Sequence, residues 1–203
     1  MPSTYAHYIF GQQIRRQLTG YERKVVDKYQ ELFNIGLHGP DILFYYKPLR
    51  KNKVNRLGNK IHDESGRKFF VHAAKVLHTH DQYEEYLAYV YGVICHFALD
   101  ETCHGYVEQA VKEIGLAHIA VEGELDRELM IMNGVDPVRR RMTEHIVPSM
   151  KNAAIIKEFY HGITAKEVQE ALSGMIFFDR LFVCPLKLKR MAIYAALKVT
   201  GLY

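Results

Sequence analysis

Tyr91-Gly-Val-Ile-Cys-His96-Phe-Ala-Leu-Asp100-Glu-Thr-Cys-His104 lies within a pattern that runs from Tyr83 to Ile114 without a breaker. Tyr86, Leu87, Val90, Ile94, Phe97 and Ala98 recur at three- and four-residue spacing, which predicts one long helix with an apolar stripe. At about 100° per residue, His96, Asp100 and His104 drift by only ~40° per step of four. All three therefore project from one side, each ~6 Å above the last. Val93, Ile94, Phe97 and Ala98 flank His96, so this helix is expected to be largely buried, where an unpaired Asp100 would be costly. Two imidazoles and a carboxylate in line form a metal-ligand pattern.

Gly115 ends that pattern, and Ala117 to Met132 predicts a second helix returning antiparallel to the first. His118 and Glu122 repeat the four-residue spacing on it. Imidazole nitrogen with carboxylate oxygen is the donor set of zinc and other first-row transition ions, whereas oxygen alone would point to calcium or magnesium. An Asp between two His ligands can also bridge two ions. A single such pair on a helix is usually a solvated surface contact worth ~0.2–0.5 kcal/mol. The metal reading rests on two pairs plus His104 on consecutive helices.

Helical periodicity covers most of the remaining chain: Tyr5 to Leu18, Tyr21 to Phe33, His62 to His78, Pro137 to Val147, Lys151 to Phe159, Thr164 to Phe178 and Leu181 to Leu197. Thr164 followed by Glu167 is a capping-box signature. Gly39-Pro40, Lys47-Pro48 and Leu57-Gly58-Asn59 predict a long loop over residues 39–59, basic from Lys47 to Lys60. Convincing period-2 strands and internal repeats are absent. The expected fold class is all-α, a multi-helix bundle forming one domain over 1–203, with a metal site within 1–122 and the helices of 137–203 completing the bundle. Bundles of this kind build metal sites from side chains on facing helices.

Composition agrees with that architecture. The 203 residues are 48% hydrophobic and 25% charged, proportions that exclude disorder and low-complexity classes. A net charge of +4 is too weak to argue for nucleic acid but suits an anionic substrate or surface. No run approaches the ~20 apolar residues of a membrane span, and the first residues lack the charged-then-apolar order of a secretory signal, so a cytoplasmic protein is expected. Cys95 and Cys103 stand ~12 Å apart along one helix, too far for a disulfide, and reduced thiols are expected. Eleven histidines form the surplus. His72, His78, His80, His145 and His161 show no partner pattern and read as surface or structural residues.

The ordered set His96-x-x-x-Asp100, His104 and His118-x-x-x-Glu122, with His7 in the first helix, Asp41 in the early loop and His62 ahead of the paired helices, resembles the zinc-dependent phospholipase C family. That fold is shared with single-strand nucleases that use three zinc ions. MPSTYAHYIFG and GLHGPDILFYYKP look like a cytoplasmic bacterial branch whose members are largely of unassigned function. The resemblance covers roughly residues 1–130. Carried over by position, it gives one zinc to Asp41, His62, His96 and Asp100, and a second to His104, His118 and Glu122. A third would share Asp100 with His7. The secreted phospholipases complete that third site with an N-terminal Trp; this chain begins Met1-Pro2 and contains no Trp, so the site is empty, uses the terminus differently or recruits His38 as an additional ligand.

The implied activity is phosphodiester hydrolysis, phospholipase C-like, on a phospholipid or related phosphoester, with a water bridging two or three zinc ions as nucleophile. Asp41, in preference to Glu64, is the expected catalytic residue orienting or deprotonating that water. Lys47, with other cations of the basic segment, is expected to attract phosphate, and Tyr45 and Tyr46 to wall the substrate; a solvated loop with core aromatics is the alternative. A single-strand nuclease is disfavoured because no aromatic residues interleave with basic ones as a base-stacking groove requires, and no specific nucleic-acid binding is expected. A non-catalytic, metal-stabilised binding or scaffold protein is the reading from a different class. Leu186 to Lys198 is basic and amphipathic, suited either to peripheral contact with an anionic membrane or to packing against the bundle.

Overall fold

The computed structural model describes residues 4–199 apart from Gln82 and Leu116, and no side-chain placement for Leu197. Ten α-helices follow in order, with no strand among the described residues. They are α1 (Thr4–Gln17), α2 (Gly20–Lys28), α3 (Gln30–Gly36), α4 (Lys53–Asp63), α5 (Gly66–Thr79), α6 (Tyr83–Ile114), α7 (His118–Met132), α8 (Met150–Ile156), α9 (Ala165–Phe182) and α10 (Lys187–Val199). Short 3₁₀ segments occupy Gly39–Tyr45 and Lys157–Phe159. The three cysteines are free thiols. Among the described residues no helix is long and apolar enough to cross a membrane.

The long helix α6 spans the residues its periodicity predicts and acts as the axis of the bundle. Helices α1, α2, α3, α5, α7 and α8 all pack on it. Burial therefore wraps round α6 instead of following one stripe. Leu87 and Val90 are buried as expected, but so are Ala88, Tyr89, Gly92 and Val93, whereas Ile94 is exposed. Helix α3 comes closest, because Gly36 and Gly92 face each other's backbones. A Cβ on Gly36 would lie 2.3 Å from the Tyr89 carbonyl oxygen, and one on Gly92 2.2 Å from that of Phe33. Tyr89 and Tyr160 share a buried hydroxyl hydrogen bond of 2.7 Å that ties α6 to the C-terminal half.

Three sequence expectations are corrected. Residues 39–59 are not a long loop: only 46–52 are non-helical, between the 3₁₀ segment and α4. The asparagines there do the organising. Asn52 caps α4 by accepting from Val54 and Asn55 N–H at 2.9 Å, and the Asn55 amide donates to the carbonyls of Leu43 and Tyr46. His62 consequently sits in the last turn of α4, not at the start of the next helix. Pro137 to Val147 is irregular, because side chains claim its backbone: Val138 N–H donates to Asp136, and Asp179 of α9 accepts from Met142 N–H and the Thr143 hydroxyl. The expected Leu181 to Leu197 helix is broken at Val183–Leu186, around Pro185.

Candidate metal centre

Four elements converge on one buried point: α1 brings His7, the 3₁₀ segment Asp41, α4 His62, and α6 both His96 and Asp100. The start of α1 is held by Asp126 of α7, a buried carboxylate whose two oxygens accept Tyr5 N–H at 2.8 Å and Ala6 N–H at 2.9 Å. These donors are among the first of the helix, where a negative charge is also favoured by the helix dipole. His7 follows immediately. The path to Asp41 depends on Gly39, whose φ is +46° and where a Cβ would meet the His96 ring at 2.4 Å. His62 is aimed by its Nδ1, which donates to the Gly58 carbonyl at 2.8 Å and leaves Nε2 facing Asp41 Oδ1 at 2.8 Å.

The ligand atoms of His7, Asp41 and His96 all lie within 4.8 Å of one another, and so do those of His62, His96 and Asp100. The His7 and His96 rings stack with centroids 4.4 Å apart. Asp100 stands between them: His7 Nε2 is 3.2 Å from its Oδ1, and His96 Nε2 is 3.2 Å from its Oδ2. Neither approach is aligned as a hydrogen bond. Both nitrogens of His7, both of His96 and Oδ1 of Asp100 are buried with no hydrogen-bond partner. Each such atom costs ~1–3 kcal/mol if left unsatisfied. A cation would engage one nitrogen of each ring and the carboxylate together, so the residues fit a zinc-type ion.

The electrostatics suit the same donor set. Burial pushes His96 down to about 4, with His7 adding and Asp41 and Asp100 opposing, so its ring is neutral at pH 7, the form that can ligate a metal. Burial raises the Asp41 carboxyl, but His96, the hydrogen bond from His62 and His7 outweigh it and hold it below its ordinary value. Burial likewise lowers His62, while the Asp41 hydrogen bond and charge and the Gly58 carbonyl carry it above its usual value. Asp41 opens onto a cavity of about 830 Å³, also lined by Phe44, Tyr45, His118, Glu122 and Phe178.

The family model described as zinc dependent phospholipase C matches residues 6–172. The chain belongs to that family. No curated protein and no solved structure matches it. The matched span of this zinc-dependent phospholipase C family member includes all eight ligands expected from the sequence, and ends before α10.

Those eight do not all meet. His118 and Glu122 pair at 2.8 Å in the first turns of α7 and line the cavity. His104 is exposed, with Nε2 3.1 Å from Glu108, and joins neither three-ligand group among the described residues. The drift of ~40° per four residues accumulates to ~80° between His96 and His104. Beyond Asp100, moreover, only Val107 of α6 is buried. Tyr45 reaches the cavity as expected. Tyr46 instead turns into the core, and Lys47 contacts its hydroxyl at 3.0 Å and Glu170 at 3.6 Å, neither of them lining the cavity. Glu64 pairs with Lys68 at 3.1 Å. Met1 and Pro2 lie outside the described residues.

His38 lines the cavity and meets an unexpected partner, with its Nε2 2.7 Å from that of His145. One ring must donate and the other accept. Burial holds both below the ordinary imidazole value, His145 at about 4 with Arg140 adding, so the pair is neutral. His145 also stacks on Tyr8 with centroids 4.0 Å apart. No spacing signal links residues 38 and 145. Asp126, 121 residues from the Tyr5 N–H it accepts, is illegible for the same reason.

Proposed function

We propose that the protein is a zinc-dependent phosphodiester hydrolase, acting on a phospholipid or a related phosphoester. The observation that carries this reading is the group His7, Asp41, His62, His96 and Asp100, in which the ring nitrogens of His7 and His96 and Oδ1 of Asp100 are buried without a hydrogen-bond partner, beside a cavity large enough for a substrate. His96 appears in both ligand groups, but one imidazole nitrogen serves one ion. The family pattern would place Asp41, His62, His96 and Asp100 around a first zinc, and His7 with Asp100 around a second. That each Asp100 oxygen faces a different imidazole supports this bridging role. His118 and Glu122 are the candidates for a further ion at the cavity wall.

Zinc bound there would supply Lewis acidity and bring the pKa of a coordinated water towards ~7. The side chains do the rest. Asp41 faces the cavity and is held ionised, which makes it a weak base, so it ligates and orients the attacking water. His62 fixes Asp41 and is itself fixed by Gly58. Phe44, Tyr45, Met175 and Phe178 offer an apolar wall to the non-polar part of the ester. No Lys or Arg is among the described residues lining the cavity, which does not favour a polynucleotide backbone. Access from a cavity supports hydrolysis over a closed structural site.

The test is hydrolysis of an aryl phosphodiester, phosphatidylcholine and single-stranded DNA by zinc-loaded protein. Chelator-sensitive, zinc-restored cleavage of the first two is expected. Zinc-loaded protein inert towards all three would favour the scaffold reading.

A further inference from the structure

We propose that the mouth of the cavity and helix α10 form one docking surface for an anionic lipid bilayer. Leu49, Ile119 and Phe182 line the cavity and yet are 82%, 79% and 52% exposed. They come from three separate segments, the 46–52 connection, the first turn of α7 and the end of α9, and make an apolar rim. Such side chains gain nothing from water. Helix α10 begins five residues after Phe182 and is tied back to the end of α9 and the connection after it: Lys189 Nζ donates to the carbonyl of Arg180 at 2.8 Å, and Arg190 to that of Cys184 at 3.2 Å. None of its described residues is buried, so it does not pack its apolar side against the bundle.

That apolar side is intact. Leu188, Met191, Ala195 and Val199 fall on one face at steps of three and four, with Leu188 81% and Met191 58% exposed. Lys187, Arg190 and Lys198 fall on the adjoining face. A helix of this kind lies in the plane of a membrane interface.

The choice of a bilayer over a protein partner rests on charge. Residues 181–203 contain four cations and no acid, and Lys47 to Lys60, which brackets Leu49, contains six cations and no acid. Both basic segments adjoin exposed apolar side chains, the combination that anionic headgroups above acyl chains would meet. The inference rests on the hydrolase reading for its purpose, since it would set the cavity mouth against a lipid phosphoester. Its test does not require catalysis.

Co-sedimentation of the full zinc-loaded chain with vesicles of phosphatidylcholine alone, and with phosphatidylglycerol added, reads the surface directly. At low salt at least ~10-fold tighter partitioning onto the anionic vesicles is expected, and 0.5 M NaCl should weaken it. The double variant Leu188→Glu/Met191→Glu should lose partitioning at least ~10-fold, and Lys187→Glu/Lys198→Glu should lose the preference for phosphatidylglycerol. Both sit on exposed positions and should cleave a soluble aryl phosphodiester as the wild type does. Asp100→Asn should still bind vesicles, and zinc-loaded wild type that partitions but cleaves no phosphoester would sink the hydrolase reading and leave the surface standing. Wild type that ignores anionic vesicles, variants that bind them unchanged, or α10 substitutions that abolish only self-association would each overturn the proposal.

Discussion

His96-x-x-x-Asp100 on α6 and His118-x-x-x-Glu122 on α7 have the same spacing and donor atoms, and the fold treats them differently. At the first, backbone and side chains from α1, the 3₁₀ segment and α4 close over the pair, so the atoms that face Asp100 are buried and unsatisfied. At the second, imidazole and carboxylate meet each other at 2.8 Å beside an open cavity. His104, on the same helix as the first pair, satisfies itself with Glu108 in solvent. Spacing makes a ligand pair available. Burial from elsewhere in the chain turns it into a site, since only there do unpaired lone pairs cost enough to demand a cation.

Substitutions separate the two pairs. Asp100→Asn removes the carboxylate shared by two imidazoles. It should strip zinc and lower phosphodiesterase activity at least ~100-fold, more than the 10–100-fold typical of a residue acting behind a ligand. Asp126→Ala should destabilise the protein by about 3 kcal/mol in chemical denaturation, because two helix-start N–H groups lose a charged acceptor. Its zinc affinity should fall ~10-fold through misplacement of His7. Gly39→Ala, strained at φ +46° and in collision with His96, should cost about 2 kcal/mol and also weaken zinc binding.

Acid should act on the buried side of the comparison. In zinc-free protein the folded-state values of His38, His96 and His145 lie below that of an unfolded imidazole, so the unfolded chain binds more protons between them. Their stability contribution is complete above ~6.5 and is lost as pH falls towards 4, by up to about 3 kcal/mol for a ring held at about 4. Denaturant midpoints across that range should fall with pH, and His145→Gln should flatten the slope. Smallest of all, His104→Ala should change stability by less than about 0.5 kcal/mol and leave zinc content unchanged, as for any exposed four-residue ion pair.

Much of this was legible in the sequence, and the gaps have a common cause. Helix α6 was read to its termini because 32 residues of unbroken periodicity have one solution. The Thr164–Glu167 capping box marked the start of α9, and both bonds form. Where side chains recruit backbone across long separations, periodicity misleads. Asp179 holds residues 142–143 out of a helix, and Asn52 and Asn55 build order where glycine and proline suggested a loop. The same holds at the site. Spacing names His96 and Asp100, the family resemblance adds His7, Asp41 and His62, and the five come together, whereas His145 and Asp126 act over separations above a hundred residues that no local pattern encodes. Residue type alone points Tyr46 and Lys47 towards substrate, but one packs in the core while the other bonds its neighbour.

As a metal centre, the five-residue group around Asp100 must hold zinc in the protein as purified. Elemental analysis of wild type and Asp100→Asn, purified without chelator and checked for folding by circular dichroism, tests it most directly. At least two zinc ions per wild-type chain are expected, with a clear loss in the folded variant. Wild type free of transition metal, or a variant carrying the wild-type complement, would contradict it.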